Sequence, residues 1–180
     1  MQPKALFLYG TNKEDGSHNF GLFSWITGCW NGENSVMVCI GEPKLTKDRI
    51  LAEKVFSANL VSESMLPLAD YLGNNSGYCP NKMNIPLDVG RGKVLDIPVL
   101  MNSPYVLELE VSQHFPLKDD SDIFVCTVRN KLKAKELEGI ETLEECVKFA
   151  SPVVSVGRQY FTLQPVSKGH WGQWKANQFH

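Results

Sequence analysis

The sequence predicts a mainly β fold, an antiparallel barrel with short helices inserted between its strands. Three observations lead to this fold class. About seven apolar runs of strand length are separated by turn residues, and three short segments carry apolar residues at helical spacing. The regular alternation of strand and helix that marks a doubly wound parallel sheet does not occur. A closed barrel also removes the free sheet edges at which proteins aggregate.

The composition limits the domain count and the classes of partner. With 180 residues, of which 43% are hydrophobic, the chain can bury a sizeable core, and we expect one domain over residues 1–180. The formal net charge of −2 gives no broad attraction for nucleic acid or for an anionic membrane. We therefore expect neither as a partner.

The N-terminus and the cysteines indicate a cytoplasmic protein. The apolar run at residues 5–9 is too short for a signal peptide or a membrane span. The five cysteines are widely spaced and include no Cys-x-x-Cys pair, which argues against a disulfide framework and against a structural zinc site. A reducing cytoplasm fits this pattern.

The first half of the chain is expected to contain four strands and two helices. The strands are predicted at residues 5–9, 20–26, 36–40 and 56–61. Thr46 is a candidate N-cap for a helix over 46–55, and Pro67 lies in the first turn of a helix over 64–72. Turn formers dominate residues 73–92, so we expect a long irregular loop there, of the kind that often carries function.

The second half of the chain is expected to return to strands. These strands are predicted at residues 98–101, 105–111, 123–128, 153–156 and 160–163. Residues 118–121 form the turn of a hairpin between two of them. Thr142 and Glu145 have the spacing of a capping box, which begins a helix that runs to about residue 150.

Several motifs of well-known enzyme classes are missing. The sequence contains no Gly-x-Gly-x-x-Gly, no Gly-Lys-Ser/Thr phosphate loop, no His-Glu-x-x-His and no Gly-x-Ser-x-Gly. These absences argue against a Rossmann dehydrogenase, a nucleoside triphosphatase, a zinc protease and a serine hydrolase.

The segment Lys44-Leu45-Thr46-Lys47 lies where a predicted strand turns into the start of a helix. Unpaired N–H groups and the helix dipole favour a phosphate at such a place, and lysine ammoniums and a hydroxyl add further donors. The alternative is a capped helix whose lysines are solvated.

Residues 19–28 mix aromatic, small and hydroxyl side chains near the end of a strand. A flat tricyclic ring needs apolar faces and backbone donors at its polar edge, which such a segment can supply. The alternative is a core strand whose aromatic side chains simply pack. His18 is interpreted as a surface turn residue, and Lys82 on its own as a solvated lysine in the long loop.

Five motifs occur in an order that is more specific than any one of them. They are Ser24-Trp25, the run at 36–40, Lys-x-Thr-Lys-Asp-Arg-Ile at 44–50, Phe56-Ser57-Ala58-Asn59-Leu60, and Asp70-Tyr71-Leu72-Gly73-Asn74-Asn75-Ser76-Gly77. In this series the chain resembles the flavin reductase-like family, and within it the flavoredoxin-type branch, from the first strand to about Leu163. The resemblance implies a six-stranded Greek-key split barrel with short peripheral helices, non-covalent FMN, and a homodimer with two equivalent sites at the subunit interface.

The resemblance also implies roles for individual residues. Ser24, Trp25, Ile26 and Thr27 would line the isoalloxazine, Lys44, Thr46 and Lys47 would hold the phosphate, Ser57, Ala58 and Asn59 would run along the ring and the ribityl chain, and Lys82 would close over the cofactor. The family usually has Met-Thr where this chain has Gly21-Leu22, and commonly an arginine where it has Tyr78. Contacts made by those family side chains are not transferred.

The function that the resemblance implies is NAD(P)H-dependent reduction of bound or exchanging flavin. One alternative is a carrier that passes electrons between protein partners without its own nicotinamide turnover. Another is an FMN-binding protein whose flavin is structural or stored. Because the cofactor supplies the reactivity in hydride transfer, no catalytic residue is predicted.

Overall fold

The computed structural model describes residues 2–32 and 34–173 of the chain, and the fold is mainly β. The strands, in chain order, are β1 (Lys4–Ala5), β2 (Phe7–Asn12), β3 (His18–Phe23), β4 (Ile26–Gly28), β5 (Ser35–Ile40), β6 (Val55–Leu60), β7 (Val89–Arg91), β8 (Pro98–Leu100), β9 (Tyr105–Pro116), β10 (Asp122–Lys133), β11 (Val153–Val156) and β12 (Gln159–Thr162). The helices are α1 (Leu45–Glu53), α2 (Leu66–Asn74) and α3 (Leu143–Ala150). None of the helices in the described residues is long and apolar enough to cross a membrane.

Seven of these strands form one antiparallel sheet, in the order β3-β2-β6-β9-β10-β5-β4. The strands β6, β9 and β10 are successive neighbours, and β5 lies beside β10, so these four strands have the Greek-key order. The mainly β, antiparallel Greek-key fold predicted above is therefore confirmed. The strand count differs slightly, since this sheet has seven strands where the resemblance implies six.

The two edge strands of this sheet, β3 and β4, are consecutive in the chain, and Ser24 and Trp25 alone separate them. Three steps of about 3.8 Å each keep the Cα atoms of Phe23 and Ile26 within about 11 Å of one another. The sheet must therefore curl until its edges face each other, as in a barrel that is split along one side. The prediction of one unbroken strand over residues 20–26 is wrong, because the chain leaves one edge and enters the other at Ser24.

The other strands form two smaller sheets, β1-β11-β12 and β7-β8. Because β7 pairs with β8, the loop predicted over residues 73–92 ends before Val89. A strand of three residues with a central glycine is too short to show a period, so β7 could not be predicted from the sequence. The strands predicted at 153–156 and 160–163 are present as β11 and β12, but β11 pairs with β1 and β12 pairs with β11, outside the main sheet.

The alternation of side-chain direction along β2 divides the hydrophobic core into two clusters. Successive side chains of a strand point to opposite faces of the sheet. Tyr9 therefore packs inside the barrel with Phe56 and Phe124, whereas Leu8 packs on the other face with Met65 and other residues around α2. This second cluster holds α2 against β3 and places the end of that helix beside the site described below.

Of the three predicted helix starts, one is wrong and two are confirmed. The N-cap of α1 is Lys44, and Thr46 lies inside the helix, where its hydroxyl accepts a hydrogen bond from the Asn19 amide at 2.9 Å. Pro67 lies in the first turn of α2, as expected. At α3 the Thr142 hydroxyl accepts a hydrogen bond from the Glu145 N–H at 3.3 Å, which confirms that cap.

Candidate functional site

The start of helix α1 is the first element of the candidate site. The first N–H groups of a helix have no acceptor within it, and the first helical bond here runs from the Asp48 N–H to the Lys44 carbonyl at 3.1 Å. The Lys44 side chain does not cap these groups. In the described residues, the first N–H groups of α1 are therefore unpaired donors at the positive end of the helix dipole, available to a ligand at this end of the helix.

A cavity of about 350 Å³ opens at this helix end, and we call it the α1 cavity. Its walls come from β3, the start of α1, the end of α2 and the loop that follows, and they include Leu22, Lys44, Thr46, Gly77 and Lys82. The structure thus brings together two of the residues predicted to hold a phosphate and the lysine predicted to close over a cofactor.

Lys82 is buried in the wall of the α1 cavity, with 4% of its surface exposed. Burial, together with the nearby positive charges of Lys44 and Lys13, lowers the pKa of its ammonium to about 8. Among residues 2–32 and 34–173, no carboxylate forms an ion pair with this ammonium. A buried cation without an acceptor is unfavourable, so this cavity has the electrostatics of an anion site. The interpretation of Lys82 as a solvated lysine is wrong.

Thr46 is held in place by Asn19, a residue for which no role was predicted. Asn19 is fully buried, and its amide donates to the hydroxyl oxygen of Thr46 at 2.9 Å and to that of Thr11 at 3.3 Å. A hydroxyl that accepts from Asn19 keeps its own hydrogen for a further acceptor. Because Thr46 lines the α1 cavity, that acceptor can be a ligand atom there.

Lys44 is available to a ligand, whereas Lys47 is not. The Lys44 ammonium lies 3.4 Å from the carboxylate of Glu42, a largely exposed pair of the kind that contributes little. The Lys47 ammonium donates to the Asp120 carbonyl at 2.6 Å and to its carboxylate at 2.9 Å, and lies 3.2 Å from the Asp122 carboxylate. The structure therefore ties Lys47 to the β9–β10 hairpin and does not bring it to the α1 cavity.

Two grooves extend the α1 cavity along the split in the barrel. The hairpin groove, of about 430 Å³, shares Leu22, Phe23 and Lys44 with the α1 cavity and also borders Asp119 and Ser121 of the hairpin. The β4 groove, of about 390 Å³, shares Ser24, Trp25 and Cys39 with the hairpin groove. Together the three form one trough.

All four residues predicted to line a flat ring lie in this trough. Ser24 and Trp25 border both grooves, and Ile26 and Thr27 border the β4 groove. Trp25 is 50% exposed, with the Lys4 ammonium 5.5 Å from the centre of its ring, so it is not the core residue of the alternative interpretation. The cause is the interruption of the strand between β3 and β4, which turns Trp25 away from the interior.

Ser57, Ala58 and Asn59 lie elsewhere, in the middle of β6, and are fully buried. The Ser57 hydroxyl donates to the Pro98 carbonyl at 2.6 Å, and the Asn59 amide oxygen accepts from the Leu100 N–H at 2.8 Å. These bonds tie β8 to the main sheet. The structure does not bring the three residues to the trough, and their predicted flavin contacts stay a prediction.

Sequence reasoning expected a functional loop here and placed Lys82 in it, but it assigned no role to Gly77 or Tyr78, which hold residues 75–84 against α1. A Cβ added at Gly77 would lie 2.8 Å from the Leu45 Cβ and 3.0 Å from the Asn19 amide oxygen, so only glycine fits this close to the start of α1. The hydroxyl of Tyr78, next along the loop, donates to the Asp48 carboxylate at 2.7 Å. The Ser76-Gly77 turn was the one available signal, because the partners of this loop are distant in sequence.

A family model described as the flavin reductase like domain matches residues 2–163. The chain belongs to this family. The match covers every strand of the main sheet and every residue named in the trough. A comparison with curated protein sequences found no match.

Solved structures share the fold of this flavin reductase-like chain. The flavoredoxin of Desulfovibrio vulgaris (Miyazaki F) is 21% identical with a TM-score of 0.82, over 96% of this chain and 93% of that one. The flavoredoxin from Methanosarcina acetivorans is 19% identical with a TM-score of 0.81, over 95% and 90%. An FMN-binding protein from Thermus thermophilus is 21% identical with a TM-score of 0.77, over 94% and 91%. These likenesses confirm the split-barrel fold.

Proposed function

We propose that this chain is a flavoprotein that holds FMN without a covalent link in the trough and uses NAD(P)H to reduce flavin. The observation that carries the proposal is the largely buried Lys82, whose ammonium has no carboxylate partner in the described residues and which lines the same cavity as the uncapped start of α1. An FMN phosphate supplies the negative charge that this arrangement lacks.

The donors of the α1 cavity fit a phosphate monoester. Two lysine ammoniums, the Thr46 hydroxyl and the first N–H groups of α1 converge on the cavity, and together they offer several donors to three phosphate oxygens. Lys44 and Lys82 would neutralise the charge, and Asn19 would fix the orientation of the Thr46 hydroxyl. These roles require no movement of the main sheet.

The grooves next to the α1 cavity fit the flavin ring. Leu22, Phe23 and Trp25 supply apolar surface. The interruption of the strand at Ser24 leaves backbone groups there outside the strand ladder, where they can bond to the polar edge of the ring. When bound, the flavin supplies the redox chemistry by accepting a hydride from a nicotinamide. The residues of this chain hold and orient the cofactor, and none is assigned a proton to move.

A second candidate is an electron carrier that resembles the flavoredoxins. The observation in its favour is the open edge of the trough, where Trp25 is half exposed and within reach of a partner protein. The names of the structural neighbours support both candidates, since they include two flavoredoxins and an NADH:FAD oxidoreductase from Streptomyces globisporus.

An anaerobic absorbance experiment tests the proposal. The purified protein is reconstituted with FMN, and NADH or NADPH is added while flavin absorbance is followed at about 450 nm. Bleaching on a turnover timescale supports the reductase, and bleaching only by a reduced protein donor supports the carrier. If neither donor bleaches the flavin, its role is structural or storage, and protein that takes up no flavin contradicts the whole proposal.

We also propose that the protein works as a homodimer through the outer face of β10, β5 and β4. On this face Val125 pairs with Met37 and Ile123 with Cys39, and all four side chains are half-buried. The intervening residues point into the core. Trp25 continues this apolar face, and such a patch on a small protein marks an interface with another molecule.

Light scattering on a matched pair of variants tests the dimer. Val125→Lys places a charge on the outer face and is expected to yield a folded monomer that binds FMN weakly. Val94→Lys, at an exposed valine outside this face, is expected to stay dimeric. Dimeric Val125→Lys protein would place the interface elsewhere, and a monomeric wild type would contradict the homodimer itself.

The single domain and the cytoplasmic location are further parts of the proposal. The family match over residues 2–163 supports one domain for most of the chain. All five cysteines lie in the described residues and are free thiols, which suits a reducing compartment.

A further inference from the structure

The loop over residues 75–84 carries Lys82 but has little structure of its own. Three short turns run through it, from the Cys79 N–H to the Ser76 carbonyl, from the Lys82 N–H to the Cys79 carbonyl and from the Asn84 N–H to the Asn81 carbonyl, each at 3.1 Å. It lies outside the strands and helices of the fold. Its position, and therefore the position of the Lys82 ammonium, depends on where the loop is attached to its neighbours.

Asn75 at one end of this loop bonds to α2 and Met83 at the other packs on the second core cluster, and three further attachments lie between them. Gly77 packs directly on Leu45 at the start of α1, and the Tyr71 hydroxyl donates to the Lys82 carbonyl at 3.2 Å. The third attachment is the hydrogen bond from the Tyr78 hydroxyl to the Asp48 carboxylate, at 2.7 Å. This bond is the main reason that the pKa of Tyr78 is raised to about 12.

The third attachment differs from the others because it lies on the surface. Tyr78 is 51% exposed, so its ring adds little to the core. Asp48 lies in the first turn of α1, the same turn whose N–H groups face the α1 cavity. The bond therefore joins the loop that carries one phosphate donor directly to the helix that carries the others, and it can open to water without unfolding either.

We propose that Tyr78 and Asp48 form a latch that holds Lys82 over the α1 cavity, so that Tyr78 is a positioning residue for the phosphate of the cofactor. The inference rests on the proposed binding of FMN. With the latch closed, the ammonium is placed before the ligand arrives and the loop resists its departure. With the latch open, the same donors are present but one of them must first be ordered.

The test compares Tyr78→Phe with a matched control. Tyr78→Phe removes the hydroxyl and is expected to raise the Kd of FMN about three- to tenfold, mainly through faster dissociation, with riboflavin changed less than about twofold. The control is Tyr160→Phe, because the Tyr160 hydroxyl donates to the Asp70 carboxylate at 2.6 Å and joins β12 to α2, outside the trough. This variant is expected to bind FMN as the wild type does.

Two variants of Asp48 separate the latch from the charge of the carboxylate. Asp48→Asn and Asp48→Ala both remove the charge, but only asparagine keeps an oxygen that accepts from Tyr78. We expect Asp48→Ala to bind FMN at least about threefold more weakly than Asp48→Asn. In a Lys82→Met background, Tyr78→Phe is expected to have no further effect, because the latch acts through Lys82.

Provided that the wild type binds FMN, three results would contradict the latch. They are an unchanged FMN dissociation rate in Tyr78→Phe, an equal loss for FMN and riboflavin, and an undiminished effect in the Lys82→Met background. A wild type that binds neither flavin overturns the proposed function itself, and the latch with it.

Discussion

Lys47 and Lys82 are two buried lysines in very different surroundings. They are 2% and 4% exposed, and both lie close to helix α1. The Lys47 ammonium has two carboxylate partners in the β9–β10 hairpin, and these hydrogen bonds raise its pKa although burial alone would lower it. The Lys82 ammonium has no carboxylate partner in the described residues, and burial lowers its pKa to about 8.

We propose that this difference distinguishes a structural cation from a ligand-binding one. The charge of Lys47 is satisfied within the chain, so the folded protein depends on it whether or not a ligand is present. The charge of Lys82 has no carboxylate partner in the described residues, so we propose that a ligand brings the anion that it lacks. Removing each lysine should therefore produce opposite patterns in stability and in binding.

The largest expected effect is on stability, from Lys47→Met. This change leaves the nearly buried Asp122 carboxylate with His114 as its remaining partner, and breaking such a pair from one side is strongly destabilising. We expect the free energy of unfolding of the apo-protein, measured with urea, to fall by about 2–4 kcal/mol. Lys82→Met serves as the control, and a similar loss of stability in both variants would contradict the distinction.

The second effect is on binding, from Lys82→Met. A charge-assisted hydrogen bond to phosphate contributes about 1.5–3 kcal/mol, so the Kd of FMN should rise roughly ten- to a hundredfold. Riboflavin, which lacks the phosphate, should bind as before, and the apo-protein should be as stable as the wild type or more so. Equal weakening of FMN and riboflavin in titrations would remove Lys82 from the phosphate site.

The third effect is a pH dependence of opposite sign for the two lysines. Since the pKa of Lys82 falls from 10.5 to about 8 on folding, the unfolded chain binds more protons in that window, and stability rises with pH across it. The pKa of Lys47 is raised, so its contribution is fully present below 10.5 and is lost only at higher pH.

Urea unfolding of the apo-protein at several pH values checks this difference. The wild type should gain stability between about pH 8 and pH 10.5 relative to Lys82→Met. FMN affinity should fall as pH rises through about 8, because the phosphate needs the charged ammonium. Identical pH slopes for the wild type and Lys82→Met would contradict the low pKa of Lys82.

The contrast between the two lysines also shows what the sequence could predict. Most strand positions followed from apolar runs, and the proposed anion site followed from lysines and a threonine at a helix start. The sequence could not show which lysine faces the cavity. Asp120, which accepts from Lys47, is 73 residues away, and the packing of the β9–β10 hairpin brings the two together. The burial of Ser57 depends in the same way on the central place of β6 in the sheet.

The smallest expected effect is that of Trp25→Phe, in the ring part of the trough. Because Trp25 is half exposed, the apo-protein should lose less than about 1 kcal/mol of stability. A contact with the flavin ring would instead change the flavin absorbance and weaken FMN by about two- to fivefold. Trp30→Phe, at a fully exposed tryptophan outside the grooves, should change neither quantity. An unaltered flavin spectrum and affinity, together with a clear drop in apo stability, would show that Trp25 serves packing, and the ring would have to lie against other residues.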